Sequence, residues 1–133
     1  MVVLPITAKK DFQSLTKTKI KYVANNLVIA ASKTPSKYHQ INQQQRAPSF
    51  CRIAYITTKK ISKKAVQRNK VKRQLGSIFR QLASEKLTKN HHDYIIISRK
   101  NILESSFAKI KSDVEFCVKG INKLIARNDN KTS

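Results

Sequence analysis

The 133-residue sequence predicts a single α+β or α/β sandwich, in which a small mixed sheet of about four strands packs against three helices. The chain has the length of one domain, and 40% of its residues are hydrophobic, which is too many for a disordered basic tail. Segments with strand-like spacing alternate with segments of helix-like spacing. We therefore expect one domain over residues 1–127 and a disordered tail over residues 128–133.

The first half of the chain predicts one short helix and two strands. The helix lies at Asp11 to Leu15, and the strands lie at Lys19 to Asn25 and at Asn26 to Ala31. Residues 32–49 then turn polar, with two prolines and three consecutive glutamines near the end. This composition predicts a long mobile loop inside the domain.

The second half predicts strand, helix, strand and helix in turn. Phe50 to Thr58 alternates in polarity as a strand does, and a helix should follow from about Ser62 to Lys86. Tyr94 to Ser98 is a β-branched run typical of a strand covered on both faces. The connection between these strands is long enough for a parallel crossover.

The closing helix is predicted from apolar residues that recur at spacings of three and four. They are Leu103, Phe107, Ile110, Val114, Cys117, Ile121 and Leu124. We expect Phe107 and Phe116 to lie in the core.

The charge balance points to a polyanionic partner. Lysine and arginine total 28 against 7 acids, which gives a net charge of +21. Nucleic acid, an anionic membrane and an acidic protein all fit this balance. No apolar run approaches the roughly 18 residues that span a bilayer, and no signal-peptide core is present, so we expect a cytoplasmic protein. The isolated Cys51 and Cys117 indicate buried thiols rather than a disulfide or zinc site.

The segment from Lys59 to Arg73 concentrates this charge. It carries eight cationic side chains in fifteen residues and no acid. Like charges one turn apart, and lysines at the positive end of a helix dipole, are unfavourable in an isolated helix. A bound polyanion reverses the sign of both effects, so the segment predicts a phosphate-binding surface.

A helical projection separates this surface from an apolar stripe. Five residues fall within an arc of about 100°: Val71, Leu75, Ile78, Phe79 and Leu82. The charges could simply solubilise the helix. However, no acid occurs until Glu85, Asn69 accompanies the arginines, and the cations continue upstream to Lys59. We therefore favour contact with RNA or DNA.

Short motifs follow one another in a recognisable order. They are Asp11-Phe12, Arg52-Ile53-Ala54-Tyr55, Thr58-Lys59-Lys60, Ala65 to Arg73, Phe79-Arg80 and Asp93 to Lys100. Together they resemble the protein subunit of bacterial ribonuclease P, over roughly Leu4 to Leu124. The Arg-Asn-x-x-Lys-Arg box between two strands is the most specific part of the resemblance.

The resemblance implies a fold and a function. Members of this family bind a large catalytic RNA and help it remove the 5′ leader from precursor tRNA. The RNA supplies the active site and binds most of the Mg²⁺, so the protein would carry no catalytic residue and no metal ligand. It would need no membrane and no obligate protein partner. The family fold includes a left-handed crossover between the Arg52 strand and the Tyr94 strand.

The resemblance also implies two sets of contact residues. Contacts to the RNA subunit would come from Lys59, Lys60, Lys64, Arg68, Asn69, Lys72, Arg73 and Arg80. Contacts to the leader would come from Phe12, Val28, Ser98 and Lys100. The chain departs from the family pattern at Gly76, where many members carry arginine, and at Thr16 and Ala30, where aromatic residues are frequent.

Several single features allow more than one interpretation. His91-His92-Asp93 could bind a metal, but a polar turn before a strand is the ordinary interpretation. The scattered acids argue against a protein-only nuclease, which would need paired carboxylates for two metals. Tyr55 could stack on a base or pack under a helix, and the sequence leaves this open. The alternative functions are a generic basic ribosomal or RNA-assembly protein and, less favoured, a membrane-active cationic protein.

Overall fold

The structure is a computed structural model that describes residues 1–39 and 49–131, with side chains to Arg127. Within these residues the elements are β1 (Val2–Pro5), α1 (Lys9–Lys17), β2 (Lys21–Val23), β3 (Leu27–Lys33), β4 (Phe50–Ile56), α2 (Ala65–Ser84), β5 (His92–Ser98) and α3 (Phe107–Lys131). The predicted class is confirmed, as are the three helices. The sheet has five strands instead of about four, because β1 was not predicted.

The five strands form one mixed sheet in the order β1-β4-β5-β3-β2. The β1–β4 and β4–β5 pairs are parallel, whereas β3 runs antiparallel to both β5 and β2. The predicted parallel crossover from β4 through α2 to β5 is thus confirmed, and its left-handed sense stays a prediction. Because β5 lies at the centre, Tyr94 and Ile96 are buried on one face and Ile95 on the other, which accounts for the apolar character of this strand.

One face of the sheet, here called the two-helix face, is covered by α2 and α3. Its core includes Ile29 and Ala31 of β3, Ile53 of β4 and Ile96 of β5. Gly120 lets α3 approach β2 closely, because an added Cβ would lie 2.3 Å from the ring of Tyr22. The buried residues that α2 contributes include all five of the predicted apolar stripe: Val71, Leu75, Ile78, Phe79 and Leu82.

The opposite face, here called the α1 face, carries only the short helix α1. Its apolar cluster is small and consists of Ile6, Leu15, Ala30, Ala54 and Ile95. Phe12, Ile56 and Ile97 pack at its margin and are half-buried. The two faces therefore differ strongly in how much apolar surface they bury.

The closing helix differs from its prediction at both ends. It begins at Phe107, and Leu103 lies before it in a 3₁₀ helix at Lys100–Glu104. The core prediction for Phe107 and Phe116 is wrong, since their side chains are 46% and 58% exposed. The residues of α3 that are buried are Ile110, Val114, Cys117, Val118, Gly120, Ile121 and Ile125.

The segments between elements also differ from expectation. Residues 128–131 continue α3, although they fall in the segment predicted to be a disordered tail. Residues 32 and 33 belong to β3, and a 3₁₀ helix follows at Ser36–Tyr38. Residues 40–48 of the predicted loop lie outside the described residues, as do residues 132–133. None of the helices in the described part of the chain is long and apolar enough to cross a membrane.

Candidate nucleic-acid interface

The turn that leads into α2 is organised by Ser62. Its hydroxyl oxygen accepts a hydrogen bond from the backbone N–H of Lys64 at 3.2 Å, and its O–H donates to Oε1 of Gln67 at 2.5 Å. Its carbonyl oxygen accepts a hydrogen bond from Nη1 of Arg68 at 2.9 Å. The bond to the Ser62 carbonyl orients the half-buried Arg68 side chain, so the first cation of the helix is positioned before any ligand binds.

The start of α2 has an excess of positive charge. Its N-cap residue, Lys64, makes no side-chain cap, and the first turn contains no acid. The free backbone N–H groups of a helix start carry partial positive charge. They add to the lysine charges here, and the combined field favours a phosphate group at this end.

The predicted RNA-subunit contacts, here called the basic surface of α2, lie on α2 and in the segment that leads into it. Arg68 and Lys72 are one turn apart, as are Asn69 and Arg73, so these four side chains share one side of the helix. The side chains that are exposed are Lys59, Lys60, Lys64, Asn69, Lys72, Arg73 and Arg80. Within residues 1–39 and 49–127, the salt bridges join Arg52 to Asp11 and Asp93, and none involves this surface.

The predicted leader contacts are brought together only in part. Phe12 on α1 and Val28 on β3 are half-buried on the α1 face, where Val28 pairs with Ile97. Lys100 is exposed just beyond the end of β5. Ser98 is different. It is 6% exposed and points to the two-helix face, where its Oγ lies 2.9 Å from Oγ1 of Thr57.

Arg52 lies beneath α1 in a buried ionic group that sequence reasoning missed. Its Nε donates to Oδ1 of Asp93 at 2.7 Å and its Nη2 to Oδ2 of Asp93 at 2.5 Å. The same Nη2 donates to Oδ2 of Asp11 on α1 at 3.2 Å. Thr34 donates to Asp93 at 2.7 Å, and the Tyr38 ring lies 4.1 Å from the guanidinium carbon. The hydrogen bonds to Asp93, the leading cause, raise the pKa of Arg52 above its ordinary value.

This ionic group connects α1 to the centre of the sheet. Arg52 and Asp93 are paired residues on the neighbouring strands β4 and β5, and Asp11 approaches them from the helix. No local sequence pattern predicts this group, because each acid is 41 positions from Arg52. The orientation of α1, and therefore of Phe12, depends on these contacts.

The histidine pair lies where the predicted polar turn meets β5, with His91 in the turn and His92 as the first residue of the strand. His91 has a positive φ of 57°, and its backbone N–H donates to the carbonyl of Phe50 at 2.7 Å. Its ring stacks on His39 with centroids 4.5 Å apart, and burial lowers the pKa of His91. The adjacent Asp93 accepts hydrogen bonds from Arg52, so it belongs to the ionic group, whereas His91 belongs to the turn.

The family model described as Ribonuclease P matches residues 4–122 of this chain. Among curated relatives, the ribonuclease P protein component of Syntrophomonas wolfei is 41% identical over 80 residues, which cover 60% of this chain and 64% of that protein. That of Rickettsia felis is 27% identical over 129 residues, covering 96% of this chain and 99% of the relative.

Solved structures agree on the fold. The ribonuclease P protein of Staphylococcus aureus superposes with a TM-score of 0.65 at 22% identity, over 86% of this chain and 92% of the other. That of Thermotoga maritima gives a TM-score of 0.63 at 20% identity, over 83% and 90%. The family match spans the basic box, both strands beside it and most of α3. The chain belongs to the ribonuclease P protein component family.

Proposed function

We propose that this chain is the protein subunit of a ribonuclease P whose RNA subunit performs the cleavage. The basic surface of α2 binds the catalytic RNA, and the α1 face binds the 5′ leader of precursor tRNA. The observation that carries this proposal is a row of exposed cations on a helix whose other side is fixed in the core, and in the part of the chain that the structure describes none of these cations pairs with a carboxylate. We expect it to act in the cytoplasm.

The basic surface is suited to a folded RNA. The planar guanidinium groups of Arg68 and Arg73 can each bind a phosphate through two hydrogen bonds, and lysines add charge without directional constraint. The amide of Asn69 can bond to ribose or phosphate oxygens. Each phosphate that a cation neutralises releases counterions from the RNA, so binding should depend strongly on salt.

The positions of the acids support a division of labour in which the RNA binds the catalytic Mg²⁺. Asp11 and Asp93 are occupied by Arg52, and Asp113 accepts bonds from the backbone and side chain of Asn26 at 3.1 and 2.9 Å. Carboxylates engaged in this way offer no pair for a two-metal site. The protein's contribution is charge neutralisation and a grip on single-stranded leader.

Reconstitution tests the proposal. The chain is added to a bacterial ribonuclease P RNA at low Mg²⁺, and leader removal from precursor tRNA is measured. We expect faster cleavage, because the protein replaces part of the charge screening that Mg²⁺ otherwise supplies. A generic RNA-assembly protein would bind RNA without stimulating this cleavage, and that result would reject the proposal.

The contribution of α2 is tested through the salt dependence of RNA binding. Replacing Arg68 and Arg73 with alanine should weaken binding and reduce the log–log salt slope by about one for each lost phosphate contact. The matched control replaces Lys119 and Lys123 with alanine, since both are exposed on α3 and remove the same charge. Equal slopes for the two double variants would exclude α2 from the interface.

A further inference from the structure

A cavity of about 390 Å³ opens at the edge of the sheet between α1 and α2. It lies where β1 ends, and β1 supplies one wall, Phe12 of α1 a second, and β4 with Arg80 the remainder. Its volume is within the range of about 300–1,000 Å³ that is typical of small-ligand sites. The cavity adjoins both proposed RNA surfaces, because Phe12 belongs to one and Arg80 to the other.

Two polar groups of this cavity, the guanidinium of Arg80 and the hydroxyl of Tyr55, lie close to Gly76. A Cβ atom added to Gly76 would lie 3.2 Å from Nη1 of Arg80 and 3.7 Å from the hydroxyl oxygen of Tyr55. A methyl group there would crowd the guanidinium. Glycine at this position therefore lets Arg80 fold back along its own helix and lie beside Tyr55.

Both polar groups are available to a ligand. Among the described residues, no ion pair joins Arg80 to a carboxylate. The Tyr55 hydroxyl is protonated at neutral pH and can donate a hydrogen bond, and burial raises its pKa further, to about 12. The half-buried Tyr55 ring packs against the two-helix core while also lining the cavity.

We propose that this cavity binds one unpaired nucleotide of RNA, with the base against the aromatic rings of Phe12 and Tyr55 and the phosphate at Arg80. The site rests on the proposed function and deepens it, because it joins the leader surface to the basic surface of α2. A base must be unstacked to enter such a cavity, and single-stranded RNA offers unstacked bases. Aromatic stacking accepts any base, so the site should be tolerant of sequence.

The site is tested directly with a single-stranded uridine pentamer as the probe. Methyl NMR signals of Val3, Leu4 and Ile6 report on the cavity wall. We expect the pentamer to shift them and an abasic pentamer of equal charge to leave them in place. Arg80→Met should weaken pentamer binding by about tenfold, the usual effect of losing one charge-assisted hydrogen-bonding group. Lys123→Met is the matched control, since it removes one exposed charge from α3.

A second variant addresses the cavity without removing a charge. Gly76→Ala favours the helix, because alanine is the better helix former, but its methyl displaces the Arg80 guanidinium. We expect about threefold weaker pentamer binding by a chain that remains folded. Binding equal to that of the unmodified chain in both Arg80→Met and Gly76→Ala, or equal methyl shifts from the abasic pentamer, would overturn the proposal.

The source of the nucleotide is distinguished in the reconstituted enzyme. A loss in Arg80→Met that is confined to leader-bearing tRNA identifies the leader, and a loss in affinity for the RNA subunit alone identifies the RNA subunit. Both results support the site. If the Arg68 and Arg73 variant loses RNA affinity while Arg80→Met matches Lys123→Met throughout, the cavity proposal fails and the proposed function stands. If none of these variants changes RNA binding, the proposed function fails as well.

Discussion

The two faces of the sheet are stabilised by different kinds of interaction. Among the described residues, twenty buried side chains form the core of the two-helix face, and five form the cluster of the α1 face. The α1 face relies in addition on the buried ionic group around Arg52. Apolar burial is therefore concentrated on the two-helix face, and the α1 face stays partly open for binding.

Among the substitutions that distinguish the two faces, Arg52→Met should lower the free energy of unfolding the most. It leaves Asp11 and Asp93 buried without their cation, and breaking a buried ion pair in this way costs about 3–5 kcal/mol. Urea unfolding measures the loss, and limited proteolysis tests whether α1 detaches first. A triple variant with Asp11→Leu and Asp93→Leu added should recover much of the stability. A neutral effect of Arg52→Met alone would show that the ionic group does not hold α1.

A matched pair of leucines compares the two cores. Leu75 on α2 and Leu15 on α1 are both fully buried, and either replacement with alanine removes the same atoms. Such changes cost about 2–5 kcal/mol, and less where the surroundings can collapse. We expect Leu75→Ala near the upper end and Leu15→Ala near the lower end, measured by urea unfolding. The reverse order would show that the α1 face is packed at least as tightly as the two-helix face.

Phe12→Ala tests whether the α1 face binds the leader. Stacking on one base is worth about 1–3 kcal/mol, so the preference for leader-bearing tRNA over mature tRNA should fall by about tenfold. Phe116→Ala is the control, since Phe116 is an exposed phenylalanine on α3 that contacts Tyr22 edge to face at 5.6 Å. Equal losses for leader-bearing and mature tRNA would remove Phe12 from the leader contacts.

The smallest effect is a pH dependence that reports on the two-helix face alone, where both thiols are buried. Burial raises the pKa of Cys117 to about 12 and also raises that of Cys51. The unfolded chain releases these protons near the ordinary thiol value of about 8.5, so the free energy of unfolding should fall as pH rises above it. The slope is at most about 1.4 kcal/mol per pH unit for each thiol. It should be shallower in Cys117→Ala, measured by urea unfolding between roughly pH 8.5 and 10.

Most of the fold could be predicted because most of its elements have a recognisable pattern among neighbouring residues. The alternation in β4, the β-branched run of β5 and the two stripes of α2 each depend on neighbouring residues. The strand β1 could not be predicted in this way, because four residues ending in Pro5 carry too little pattern. Its edge position makes the proline tolerable, and its pairing with β4 is a long-range contact.

The site was predictable to a smaller extent. The basic surface of α2 followed from charge and helical periodicity, which are local properties. The resemblance places Ser98 among the leader contacts, but strand alternation turns it to the two-helix face and its neighbour Ile97 to the α1 face. The ionic group of Arg52 and the approach of Arg80 to Tyr55 depend on tertiary contacts that no sequence window contains.

The central position of β5 has a consequence for the order of assembly. The strand pairs β1–β4 and β2–β3 share no hydrogen-bonded neighbour until β5 is inserted between β4 and β3. On the ribosome, this junction cannot close before residue 98, about three quarters of the way along the 133 residues, has been synthesised and has left the exit tunnel. Pairings that are distant along the chain also slow folding. We expect the nascent protein to remain unassembled through most of its translation and then to acquire its tertiary structure in one late, cooperative step.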